Sequence, residues 1–274
     1  MRVLISADME GVTGVADPAD VRPGEPEYER HRRQLTAEVN AAVRGVLARH
    51  PGATVTVTEA HAAFRNLLLP DLDPRARVLR GRPKTYGMLA GLERGADAVI
   101  FLGYHAKAGT AGAVLAHTVS GAVIADVRCQ GRSLGEIGLN AALAAHLGTA
   151  PVLVTGDDLT VREAAQTIPG VHTVEVKRAL GASAADSLHP VRACELIEDA
   201  VPAALDARAE VRPPRFTGPV ELEIDVHRTA TADHALLVPG MRRTGGTTLC
   251  YPAPDYPTAY RLVELVATLG LAAS

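Results

Sequence analysis

Tryptophan is absent from the 274 residues, and Phe and Tyr together supply only 3% of them. Without aromatic platforms the chain lacks the stacking surface on which single-stranded nucleic acid is held. Lys and Arg total 28 against 31 Asp and Glu, a net charge of −3, and the arginines are dispersed among the acids. Such a pattern makes neither a polyanion footprint nor a basic membrane-binding face, so nucleic acid and membrane are set aside as partners. Cysteine is scarce as well: Cys129, Cys194 and Cys250 are an odd number with no CxxC spacing. That argues against a disulfide scaffold and a thiolate zinc site, and free thiols fit a reducing compartment. No run reaches about 18 apolar residues, and the opening MRVLISADMEG has neither a long apolar segment nor a small-residue cleavage site. The expectation is a soluble, cytoplasmic protein.

What is present is aliphatic. Apolar, β-branched runs recur as RVLISAD, ATVTVTEAH, ARVLRG, ADAVIFLGYH, AVIADVRC and PVLVTGDD. Helical patterns lie between several of them: Pro26 to His50, Lys84 to Arg94, and GEIGLNAALAAHLG. Continuous apolar strands separated by amphipathic helices predict βα units, hence an α/β domain of three layers around a largely parallel sheet. After Asp158 the rhythm changes to a helix (VREAAQTI), a strand (HTVEVK), a longer helix, two strands and a closing helix from Tyr256. We therefore expect a metal-binding α/β domain over 1–160 and a smaller two-layer α+β domain over 161–274, with segments free to interleave.

In open α/β sheets ligands bind beyond the carboxyl ends of the strands, so the residues at those ends matter. The first strand ends in Asp8 and Glu10, the second in Glu59 and His61, and the fourth in Tyr104 and His105, while Glu136 opens the helix after AVIADVRCQGRSLG. Asp157 and Asp158 end the sixth. Taken singly, each has an ordinary reading as a helix cap, a solvated loop acid or a satisfied core histidine. Together, three carboxylates and two imidazoles at one edge form a ligand set suited to zinc, manganese or a related divalent ion. Pattern alone reaches a metal-dependent hydrolase. A two-metal phosphoesterase would use similar ligands but needs cations nearby, for which Lys107 and Arg132 are the candidates. A binding protein that has lost catalysis is a third reading, and the complete ligand set argues against it.

The strings themselves go further. ADMEG, EAHAAFRNL, FLGYHAKA, LAHT, GEIGLN and VTGDD, in that order, together with VEVKRALGASAADSLHP and VPGMRRTGGTTLCY, resemble the successive motifs of the DppA-type D-aminopeptidases, the M55 zinc metallopeptidases. The resemblance implies a centre of two zinc ions per chain held by Asp8, Glu10, His61, His105 and Glu136, with Asp8 bridging the ions. It also implies a catalytic role for His117, in the LAHT string. The activity it implies is hydrolysis of the amino-terminal D-residue, of the D-Ala type, from short peptides and amides. The assembly it implies is a homodecamer ring. Asn66 and Asn140 are read as braces for loops or ligands, and no chemistry attaches to His172 or Lys177.

Overall fold

The computed structural model describes residues 1–273. In chain order the larger sheet begins with β1 (Arg2–Ala7), α1 (Tyr28–Arg49), β2 (Thr54–Glu59), β3 (Ala76–Leu79) and β4 (Ala98–Leu102). There follow the hairpin β5 (Ile124–Cys129) and β6 (Arg132–Ser133), then α2 (Glu136–His146), β7 (Pro151–Asp157), α3 (Asp158–Thr167), β8 (His172–Gly181), β9 (Ala184–Ser187) and α4 (Pro190–Asp206). The chain closes with β10 (Val220–Val226), α5 (Thr229–Ala235), β11 (Arg242–Arg243), β12 (Thr248–Ala253) and α6 (Tyr256–Ala272).

Seven strands form one sheet in the order β3-β2-β1-β4-β7-β8-β9, parallel except for the last pair. The α/β class expected from the strand runs is the class observed. Every residue of β4 and β7 is buried, which is why these strands read as unbroken apolar runs instead of alternating ones. On α1 the buried Leu35, Val39, Ala42, Val43 and Val46 recur at three- and four-residue intervals and make one apolar stripe. That helix packs on α4 and on β1 and β2, while α3 packs on α2, β7 and β8.

A second, antiparallel sheet has the order β11-β12-β10-β5-β6, with α5 and α6 packed against it. The two sheets draw on interleaved stretches of chain. β8 and α4, expected in the smaller unit, belong with the larger sheet: β8 pairs in parallel with β7, the next strand out. Conversely β5 and β6, from the first half of the sequence, pair with β10 and with each other. The helix expected from Lys84 to Arg94 is absent. Two short 3-10 turns, Gly87–Leu89 and Leu92–Arg94, stand in its place, because Gly91 and Gly95 take positive φ angles that an α-helix excludes.

Two features of this topology place the site. From β1 the chain winds outward to β2 and β3, then returns to the other side of β1 with β4, β7 and β8, so the strand order reverses between β1 and β4. Crossovers on either side of such a reversal cover opposite faces and leave a crevice at the carboxyl ends. The register then levels those ends, with Ala7 opposite Glu59 on one side and Leu102 on the other.

Candidate metal centre

Asp8 and Glu10 follow β1 directly, His61 lies two residues beyond β2, His105 three beyond β4, and Glu136 is the first residue of α2. His117 comes from the long loop between β4 and β5. The ends of β1 and β4 come close enough that their backbones touch: Gly11 N–H donates to Gly103 C=O at 2.8 Å. A side chain at Gly11 would put its Cβ 1.8 Å from the Tyr104 carbonyl oxygen, and one at Gly103 would put it 2.4 Å from that of Asp8. Both glycines are therefore required by the approach that brings Asp8, Glu10 and His105 together.

All six side chains singled out by the sequence and the resemblance meet in one cluster. His105 Nε2 lies 3.6 Å from Asp8 Oδ2 and 3.4 Å from Glu136 Oε1. His61 Nε2 is 3.4 Å from Glu10 Oε1. His117 Nε2 is 3.9 Å from Glu10 Oε1 and 3.6 Å from Glu136 Oε1, with its ring stacked on that of His105 at 4.0 Å between centroids. Each imidazole donates through Nδ1: His61 to Asn66 Oδ1 (3.1 Å), His105 to the Ala106 carbonyl (3.0 Å) and His117 to the Leu115 carbonyl (2.9 Å). Every Nε2 is thereby turned toward the carboxylates, the orientation that metal-binding histidines use.

Asp8, Glu10, His61, His105 and Glu136 are all buried, and Asp8 Oδ2, Glu10 Oε2 and His105 Nε2 have no hydrogen-bond partner among the described residues. Orphaned buried atoms of this kind are expensive unless a further group satisfies them. Burial, with Glu10 and Glu136 adding repulsion, holds the Asp8 carboxyl well above the usual range. Burial pushes Glu10 the same way, but the charge and hydrogen bond of His61, with His105 adding to them, outweigh it and hold Glu10 well below. Against its own burial penalty, His61 is raised to about 9 by Glu10 and Asp8. His117 behaves differently. Burial and the neighbouring His105 keep it below the ordinary imidazole value, and 22% of its side chain is exposed.

The donor set fits divalent metal. Glu10, His105 and His117 offer ligand atoms within 4.8 Å of one another, as do Asp8, His105 and Glu136. Nitrogen and oxygen donors without sulfur suit zinc and its borderline neighbours, and bound metal would give the orphaned atoms the partners they lack.

Other parts of the arrangement were not assigned from the sequence, or were assigned elsewhere. Asn66 accepts from Tyr28 Oη (2.9 Å) as well as from His61, and its amide donates to the His61 carbonyl at 2.8 Å. Glu59 takes hydrogen bonds from the backbone N–H of Asn66 and Leu67 and points away from the cluster. Asn140 joins Tyr104 Oη (3.0 Å) to Tyr260 Oη (2.7 Å) and so braces α2 on α6. Asp157 caps α3 by accepting from Thr160 N–H at 2.7 Å, and Asp158 accepts from Ala179 N–H. Lys177, without assigned chemistry in the sequence, is buried beside the centre. Its ammonium donates to the carbonyls of Glu10 (2.6 Å), Val12 (2.9 Å) and Val15 (2.6 Å). Burial lowers it to about 8 while Asp157, Glu38 and Glu10 pull back, so it keeps its proton at neutral pH. The only trace in the sequence is a lone lysine within the apolar strand VEVKRAL.

A cavity of about 500 Å³ opens onto Asp8, Glu10, His61, His117 and Glu136. Neither Lys107 nor Arg132, the cations expected near the site, lines it. Arg82 and Lys84 do, from a stretch whose GRP reads as a turn.

A buried N/O ligand cluster at the switch point of a parallel sheet, open to a cavity of this size, defines the class of a metal-dependent hydrolase. A family profile described as D-aminopeptidase, peptidase M55, matches residues 1–265. A D-aminopeptidase of Bacillus subtilis strain 168 is 33% identical over 279 aligned positions, covering 100% of this chain and 99% of that protein. Among solved structures, the Zn-dependent D-aminopeptidase DppA from Bacillus subtilis, described as a self-compartmentalizing protease, superposes with a TM-score of 0.94. The match has 31% identity and covers 99% of this chain and 98% of that one. The chain belongs to the M55 family of D-aminopeptidases.

Proposed function

We propose that this chain is a zinc-dependent exopeptidase that removes an amino-terminal D-residue, of the D-Ala type, from short peptides and amides. The observation that carries this reading is the convergence of Asp8, Glu10, His61, His105 and Glu136, with three orphaned buried ligand atoms, and the opening of all these residues but His105 onto a cavity sized for a small peptide. These five residues would hold two zinc ions. Zinc, when bound, supplies Lewis acidity toward a carbonyl oxygen and toward water.

The chain's own residues supply the rest. Asn66 and the carbonyls of Ala106 and Leu115 fix the imidazoles so that only Nε2 faces the reacting groups. His117 is the proton carrier: alone among the three histidines it is both held toward its neutral form and part-exposed on the cavity, so it can take a proton at Nε2 and return it to the departing amine. The carboxylates at the cavity floor favour the substrate's ammonium end over its carboxylate end. Assembly into a closed homo-oligomer, a decamer by family resemblance, and a cytoplasmic location belong to the same proposal. No helix among the described residues is long and apolar enough to cross a membrane.

The test combines metal analysis with a substrate pair. We expect close to two zinc ions per chain, reversible loss of activity on chelation, and D-Ala amide hydrolysed at least ten times faster than L-Ala amide, about 1.4 kcal/mol of transition-state discrimination. Activity persisting with well under one ion per chain would overturn the metal assignment. Equal rates on the two amides would overturn the stereochemical one.

A further inference from the structure

Beyond the ligand cluster, the cavity is bounded by the 82–84 turn and by α6, and two cationic side chains, Arg82 and Lys84, line it there. The Arg82 guanidinium lies 4.5 Å from the centroid of the Phe64 ring and Lys84 Nζ lies 4.1 Å from it. Lys84 donates to Thr58 Oγ1 at 2.8 Å and to the Glu59 carbonyl at 2.5 Å, which leaves one of its three N–H bonds free. Arg82 is exposed and makes no hydrogen bond or ion pair with any described residue. Glu264 of α6 lines the same region and feels both cations without a direct ion pair to either, and burial pushes its carboxyl up to about 7. No carboxylate of the described residues lies within ion-pair distance of either cation, and Glu264 acts on both only across a longer gap.

Their position relative to the metal ligands is fixed by the backbone. Phe64, the ring beneath both cations, is three residues past His61, and its N–H donates to the His61 carbonyl at 2.8 Å. The Phe64 carbonyl in turn accepts from Gly81 N–H at 2.7 Å, tying the turn that carries Arg82 and Lys84 to the turn that carries His61. A cation pair riding on a ring so anchored cannot drift from the cluster independently.

We propose that Arg82 and Lys84 form a carboxylate-binding subsite that takes the free α-carboxylate of the residue following the scissile bond, so that the chain selects short peptides ending in a free carboxylate over the same peptides capped as amides. This rests on the aminopeptidase reading above. With the scissile carbonyl over Asp8, Glu10 and Glu136, the carboxylate of a dipeptide lies one residue further along, about 3.5 Å of extended chain. An arginine fork matches a carboxylate in two hydrogen bonds, and a lysine with one open N–H adds a third. Burial lowers Lys84 to about 8, which leaves it charged at neutral pH.

The experiment compares kcat/KM for D-Ala-D-Ala and D-Ala-D-alaninamide, a pair differing only in the carboxylate, on the zinc-loaded protein. The ratio is taken within each variant, so a general loss of activity cancels. We expect wild type to favour the free acid at least tenfold. Arg82→Gln and Lys84→Met should each bring the ratio toward one, Arg82→Glu should invert it, and added salt should shrink it in wild type. A wild-type ratio near one, or a ratio indifferent to all three substitutions, would overturn the subsite while leaving the aminopeptidase reading intact. A chain that hydrolyses neither peptide would overturn both.

Discussion

Replacing Lys177 by Met tests whether the loop bearing Asp8 and Glu10 is held by a single buried ammonium. Met retains most of the apolar stem but removes every donor, so the carbonyls of Glu10, Val12 and Val15 lose a partner in a region closed to water. At roughly 1–3 kcal/mol for each buried acceptor left unpaired, the loss is about 3–9 kcal/mol. Relief of the penalty for burying the ammonium, several kcal/mol, offsets part of it and leaves a net destabilisation of about 2–4 kcal/mol. With an m-value of roughly 3 kcal/mol/M in urea, the unfolding midpoint of the metal-free chain should fall by about 0.7–1.3 M. The same substitution loosens the segment that carries two ligands, so zinc affinity should drop by about 10–100-fold in a competitive chelator titration. A midpoint within about 0.2 M of wild type, with zinc affinity unchanged, would show that the loop is held by other contacts.

Asn66→Ala removes the acceptor that orients the His61 ring, and zinc affinity should fall by about 10–100-fold while the fold is retained; an unchanged titration would refute the orienting role. His117→Ala should keep its zinc yet lose about 10²–10⁴ in turnover, roughly 2.7–5.4 kcal/mol of transition-state stabilisation. Lost zinc on the same preparation would make His117 a ligand instead, and near-normal turnover with full zinc would remove it from the chemistry altogether.

The ligand cluster was legible because its members sit at strand ends, where a polar residue interrupts an apolar run. Asp8 after RVLISA and His105 after VIFLGY announce themselves in this way. His117 was not legible from pattern, since it lies in a loop with no periodicity, and it entered only through family likeness. The α/β class followed from the runs, but the partition between sheets did not. Hydrophobic runs specify that a strand is buried without saying which strand it pairs with, so β5, although AVIADVRCQGRSLG reads as hairpin-like, looked like one of the runs of the parallel sheet, and β8 like part of a new unit. The supports were the hardest to see. Lys177 does its work through backbone carbonyls 162 to 167 residues away, and Arg82 through an aromatic ring and a cavity that exist only after folding. Neither spacing nor residue type encodes such partnerships.

The separation between Glu10 and Lys177 also sets an order of events during synthesis. At about 5–20 residues per second, a ribosome that has made Glu10 needs roughly 8–33 s to reach a lysine 167 residues later. Throughout that interval Asp8 and Glu10 emerge, and in time His61, His105, His117 and Glu136 with them, while the clamp on their first loop does not yet exist. The α6 side of the cavity is translated later still. A nascent chain of this protein thus carries every side chain of the cluster before it has the framework that aims them, and hydrolytic competence arrives only with the last part of the polypeptide.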